Sequence, residues 1–416
     1  MTNTQTRKNL FKVLIVFFVF YLGVSGYYFK RIYQPWGTCD TDFSVFTNAA
    51  RDISQKKDIY SQSYLETGRD FYKYSPAFAV LMIPLSALHR HISVPIWYLS
   101  IFVFFVLSIF LIQKILTAQD SGRSLSRTFF ALGILMTLRA LLSVVQRVQS
   151  DCLVLFLLSL FIFALFYKKN TLAGFALASA VMVKLTPLIF IPFLILRKKF
   201  KAMFSACFFT LFYLFIPALY TGYGRNLAYL KDWFSVHQKN PADYFLWYKN
   251  QSLLSCLSRF LSKDSPLSIA GLTQTQVLII FISLAAILFL LVFATRSRIA
   301  SSPSAFRYLT DISLILILMI ILSPLAWKHT FVHLLIPHFV LLYYVLYINP
   351  KDKLSKGLLI SSFFLITVLN PELTKPFAQT IQLLSPVTLG AILLYIALLR
   401  TRVFPENTDS GSLCKS

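Results

Sequence analysis

Acidic residues are scarce in this chain. It has 16 aspartates and glutamates against 40 lysines and arginines over 416 residues, and only 13% of residues are charged. A soluble chain carries about 25% charged residues, so a domain kept in solution by a polar surface is excluded. No soluble domain is visible between a short polar head before Leu10 and a polar tail after Arg402. The five cysteines lack metal-ligand spacing; Cys39 and Cys256 could pair only if both lay outside the cell. No internal repeat is apparent.

What is there is hydrophobic. Apolar residues make up 57% of the chain, in long runs from end to end. That pattern predicts an all-α, polytopic integral membrane protein forming a single membrane domain over 1–416. The net charge of +24 suggests a nucleic-acid partner at first sight. The basic residues lie in loops between the apolar runs, however, where they set orientation and meet anionic lipid headgroups. No nucleic acid is expected. The first run, Leu10 to Tyr28, follows Arg7 and Lys8 and has no small-residue cleavage site after it, so it reads as a retained signal anchor with a cytoplasmic N-terminus.

Further spans are expected near 95–117, 128–146, 151–167, 202–220, 276–295, 308–326, 331–348, 355–370 and 382–400. The run from Tyr74 to Leu88 is short for a crossing and contains Pro84, so it is expected to enter halfway and return. The segment from Leu172 to Leu196 is flanked on both sides by lysine and arginine and interrupted by Lys184-Leu185-Thr186-Pro187, which predicts a hairpin of two short helices with Lys184 near the tip. Counting the hairpin as two gives about 12 crossings, both termini cytoplasmic, and long outer loops at 30–94 and 223–275.

The stretch from Asp40 to Arg51 follows the first span. Phe43, Phe46, Ala50 and Ile53 recur at helical spacing and predict a helix lying on the membrane surface. An acid in its first turn suits the helix dipole, so Asp40 or Asp42 reads equally well as a cap or as a catalytic carboxylate. Lys73 and Tyr74 could meet a phosphate at headgroup depth, or form an interfacial aromatic belt. Arg147, Gln149 and Asp151 lie in a polar break between spans, either a substrate-binding site that could take an anion or a solvated turn. Lys184 inside an apolar segment is a functional candidate, with snorkelling as the alternative. Asn250, Gln251 and Ser252 could hold sugar hydroxyls. Trp327 could stack on a sugar, and His329 could orient a carboxylate or donate to a leaving phosphate. His329 and His333 are four apart without a third ligand nearby, so no metal is expected.

Taken in order, these pieces resemble glycosyltransferase family 87, whose members have the GT-C fold and use polyprenyl-phosphate-mannose. The matching residues are Asp42-Phe43-Ser44-Val45-Phe46 with Ala49-Ala50-Arg51, then Tyr60, Tyr72-Lys73-Tyr74-Ser75-Pro76, Gln149 with Asp151, Lys184 with Pro187, Asn250-Gln251-Ser252, and Ser323-Pro324 with Trp327 and His329. The chain departs from the family pattern at Val148 (usually glycine), Asp151 (often asparagine), Ala326 (serine) and Thr330 (a second histidine). The resemblance implies a conserved GT-C module over 1–220, with surface helices in its outer loop, and a variable module over 221–416. It implies an inverting hexosyltransferase of a bacterial-type inner membrane, acting at the outer face. The donor would be a polyprenyl-phosphate sugar, the acceptor a glycolipid or glycan, and no cofactor is implied. Asp42 would be the base. Lys184, Lys73, Arg147 and His329 would serve the leaving group, and Tyr74, Gln149, Asn250, Gln251, Ser252 and Trp327 would hold sugar or acceptor. The other reading is a transporter or flippase of lipid-linked sugars. That function would call for polar residues deep in several spans and for a repeat.

Overall fold

A computed structural model describes residues 2–32, 41–60, 71–118, 124–238, 243–294, 304–369 and 371–403. Helices account for nearly all of the regular structure among them. Helix α1 covers Thr2–Ile32, α2 Asp42–Ser54, α3 Pro76–Ala87, α4 Arg90–Leu116, α5 Arg127–Arg147 and α6 Asp151–Phe166. They are followed by α7 (Asn170–Val183), α8 (Phe190–Leu196), α9 (Phe200–Thr221), α10 (Tyr223–Gln238), α11 (Asp243–Leu246), α12 (Leu253–Leu261) and α13 (Gln274–Ala294). The chain closes with α14 (Ser304–Ile321), α15 (Leu335–Tyr343), α16 (Lys353–Phe363), α17 (Ala378–Leu383) and α18 (Pro386–Val403). Among the described residues, six helical segments are long and apolar enough to cross a membrane: Thr4–Lys30, Arg90–Leu116, Arg127–Arg147, Phe200–Thr221, Gln274–Ala294 and Lys328–Ile348.

The helix starts follow local chemistry. Ser75 caps α3 by accepting from the Phe78 amide, and Pro76 takes the first helical position, where a missing N–H costs nothing. Ser126 caps α5, and Ser252 caps α12, in the same way. Helix α3 has 12 residues and is about 18 Å long, short against about 30 Å of hydrocarbon. The expected break at Lys184 is present. Helix α7 stops at Val183, Lys184 is extended, and a 3₁₀ turn over Thr186–Ile189 leads into α8. Pro187 lies in that turn and has no N–H to continue an α-helical ladder.

Helix α2 differs from the expectation. Its apolar stripe of Phe43, Phe46, Ala50 and Ile53 is buried, and α2 packs chiefly on α3 rather than presenting that face to lipid. Phe46 meets Tyr74 edge-on at 4.8 Å and Phe78 at 5.3 Å, while Phe43 lies 5.6 Å from Trp97 of α4. Arg90 also donates to Ser44 Oγ at 3.1 Å. The rings of Tyr74, Phe78 and Trp97 complete a protein pocket for the stripe, and burial there removes it from water as lipid would. Thr41, not Asp42, is the N-cap residue; Asp42 is the first helical residue. Asp40 and Cys39 lie outside the described residues, and Cys256 is a free thiol.

Helix α7 crosses α9 closely because Gly174 has no side chain; a Cβ there would come within 2.4 Å of Ser205. The bundle has two distinct ends. Helix α6 begins at Asp151 beside Lys184, and its far end is marked by Ile162, whose carbonyl accepts from Tyr308 of α14. Helix α14 runs the opposite way, and α18 runs parallel to α6, from the level of Gln251 to Arg402.

Candidate active site

Three breaks in helical structure meet at the Asp151 end. The first is the turn between α5 and α6, where Val148 is left-handed at φ 54° and ψ 48°. A β-branched residue rarely adopts that conformation. It turns the chain so that Gln149 and Asp151 follow at the head of α6. The second is the Lys184 break. The third is a 3₁₀ turn over Lys328–Leu334 that carries His329.

Asp151 is fully buried, and both its oxygens accept from Lys184 Nζ, at 2.8 and 2.7 Å. His329 Nε2 lies 3.8 Å from Asp151 Oδ2. A carboxylate enclosed by apolar helices is stable only if paired, and these two partners from different breaks supply the pairing. Asp151 therefore has no face left for a sugar. Asp151, a substrate-binding candidate in the sequence, lies where it holds the lysine and faces the imidazole, with no exposed surface. His333 packs below, with Nδ1 2.7 Å from the Thr330 carbonyl oxygen. Among the described residues no three His, Cys, Asp or Glu side chains converge as metal ligands.

Tyr74 links this centre to α2. Its hydroxyl donates to Gln149 Oε1 at 3.2 Å. Burial pushes the Tyr74 phenol well above its ordinary range, and the charges of Asp42 and then Asp151 push the same way. Tyr74 thus remains a protonated donor within the electrostatic reach of both carboxylates. Asp42 is half-buried at the start of α2. The structure brings Asp42, Tyr74, Gln149, Asp151, Lys184 and His329 into one neighbourhood.

Across from it stands an aromatic wall. Tyr244 and Trp247 stack at 5.8 Å, and Trp327 meets Trp247 edge-on at 5.3 Å and Tyr244 at 6.1 Å. Lys73 Nζ sits 5.6 Å above the Tyr244 ring, and Lys249 Nζ 4.9 Å above Trp247. Arg147 is exposed at the end of α5. Burial, and then the Arg147 charge, push the Lys249 ammonium below its usual range. Arg147 and Lys249 are therefore near neighbours of like charge. Such an arrangement favours an anion between them.

Asn250, Gln251 and Ser252 do not line this space. All three are fully buried. Asn250 Nδ2 donates to the Tyr244 and Pro324 carbonyls, and its Oδ1 accepts from the Ser252 and Ala326 amides. Gln251 Nε2 donates to the Tyr248 and Gln382 carbonyls, and Ser252 Oγ donates to the Pro324 carbonyl. The expectation that they hold sugar hydroxyls is corrected. They fasten the loop bearing Trp247 to the one bearing Trp327. Arg259 of α12, fully buried, ties the Trp247 loop to α12 and to Ser385 just before α18. It donates to the Trp247 and Asn250 carbonyls and to Ser255 and Ser385 hydroxyls.

The sequence reading did not single out Tyr244, Lys249 or Arg259. Tyr244 and Lys249 stand within six residues of Asn250 in an aromatic-rich loop, which was the available signal. Arg259, the single charge in the sequence of α12, was another.

The model of glycosyltransferase family 87 matches residues 71–324, more than half of the chain. No curated protein and no solved structure matches it.

Proposed function

We propose, from the premise that this chain belongs to glycosyltransferase family 87, that it moves a hexose, mannose in the first instance, from a polyprenyl-phosphate sugar to a glycolipid or glycan hydroxyl. The fold is then of the GT-C type with about 12 crossings, and the Asp151 end faces outward from the cell membrane. The observation carrying this reading is the half-buried Asp42 beside Tyr74, next to a centre that also holds Lys184 and His329.

The chemistry follows from those residues. The acceptor hydroxyl oxygen attacks the anomeric carbon. Asp42 takes the hydroxyl proton as the bond forms. The bond from the anomeric carbon to the phosphate oxygen breaks with its electron pair, leaving polyprenyl phosphate and inverting the anomeric centre. Arg147, Lys249 and Lys73 supply positive charge to that phosphate, already in place before the bond breaks. Lys184 is neutralised by Asp151, so it contributes shape more than charge. Tyr74 and Gln149 fix the carboxylate side of the site, His329 closes its floor, and Trp327 with Trp247 offers a face for a sugar ring.

The test is incubation of purified protein in liposomes with radiolabelled polyprenyl-phosphate-mannose and a lipid extract as acceptor. Label appearing covalently in a new glycolipid is expected. Label that crosses the bilayer still attached to its original lipid would replace this reading with a flippase.

A further inference from the structure

The opposite end of the bundle carries a basic cleft unrelated to the sugar site. A cavity of about 330 Å³ opens there, lined by Leu196, Arg197, Lys198 and Phe293. Arg197 follows the last residue of α8, and Phe293 is near the last residue of α13. The Arg197 guanidinium lies against two rings, 5.4 Å from the Phe293 centroid and 5.9 Å from that of Phe193. These contacts hold it over the cavity floor.

Behind it is a shared carboxylate. Asp311 of α14 accepts from Arg197 at 2.5 Å through Oδ2 and from Arg402 of α18 at 2.9 Å through Oδ1. Two guanidiniums on one carboxylate give that trio a net positive charge. Arg197 Nε is buried and makes no hydrogen bond. Lys198, exposed and left-handed at φ 53°, adds a second cation at the rim. Leu196, exposed at 52%, continues the wall onto the outer surface of the bundle. Fixed guanidinium donors suit phosphate geometry, and an adjoining apolar surface suits an acyl chain. Basic pockets between membrane helices take lipid phosphates in this manner.

We propose that this cleft binds a phosphate mono- or diester, with Arg197 and Lys198 as its cationic donors and Leu196 and Phe293 as its apolar wall. The phosphate can come from a phospholipid headgroup or from a soluble phosphate compound. The site does not depend on the sugar-transfer reading.

The experiment uses the full chain, delipidated in neutral detergent. Binding is followed by thermal unfolding and by native mass spectrometry against three probes: phosphatidylglycerol, phosphatidylcholine and inorganic phosphate at matched ionic strength. Phosphatidylglycerol should bind at least about tenfold more tightly to the wild type than to Lys198→Asn, the loss of one charge-assisted contact. Asparagine tolerates the left-handed backbone, so this variant keeps its fold. Arg197→Gln should weaken binding further. Protection by phosphatidylglycerol alone assigns the site to a lipid headgroup. Equal protection by inorganic phosphate assigns it to a soluble phosphate compound. Equal binding of phosphatidylglycerol and of inorganic phosphate by wild type and Lys198→Asn overturns the proposal.

Discussion

The two ends of the bundle each bury a carboxylate among cations, and they do so differently. Asp151 is wholly enclosed, facing one lysine and one histidine. Asp311 has a side chain 22% exposed and faces two arginines. At the enclosed end the ion pair is close to balanced and works as a fixture that holds Lys184 and His329 in place. At the open end the charge is unbalanced and accessible, the condition for holding an external anion. A carboxylate set among cations thus makes a strut at one end and, on the proposal above, a binding surface at the other. What separates them is solvent access and the ratio of charges.

This contrast can be broken by removing either acid. Asp151→Ala should cost about 3–5 kcal/mol of stability, because it strands a lysine inside the protein. Pairing Asp151→Leu with Lys184→Met should restore most of that loss, as removing both charges of a buried pair usually does. Unfolding curves in detergent would show it; a loss below 1 kcal/mol for Asp151→Ala would mean that water reaches the pair. Asp311→Ala should cost less, about 1.5–3 kcal/mol, since water partly replaces the carboxylate. If the two losses were equal, the distinction between strut and surface would fail.

A smaller effect sharpens the account of the α5–α6 turn. Val148 is fully buried yet left-handed. Val148→Gly removes more side chain than Val148→Ala but relieves the backbone. The glycine variant should be the more stable of the two by about 1 kcal/mol. The reverse order would show that the turn tolerates the side chain without strain.

Much of the fold was legible in the sequence, because long apolar runs and positive flanks are strong signals. The break at Lys184 came from a charge beside a proline, and the short α3 from the length of its run. The apolar face of α2 was legible, but its partner was not. Periodicity says that a stripe is buried, not whether lipid or Tyr74 and Phe78 bury it. The meeting of Asp151, Lys184 and His329 was hinted at by rare residue types in apolar surroundings. The site was misread at Asn250, Gln251 and Ser252. A polar triplet in a loop looks the same whether its amides face a sugar or the chain's own carbonyls. Only the fold brings Pro324, Ala326 and Gln382 to them. The family pattern usually has glycine where Val148 stands, and the left-handed backbone there gives the physical reason.

On the proposed mechanism Asp42 performs proton transfer while Asp151 only holds Lys184 and faces His329. Single-turnover transfer of labelled mannose at saturating donor, measured for Asp42→Asn, tests it most directly. The account predicts a fall of about 10²–10⁴-fold in that rate, with unchanged unfolding and donor binding. A rate within a few-fold of wild type would contradict it and return Asp42 to an ordinary first-turn acid of α2.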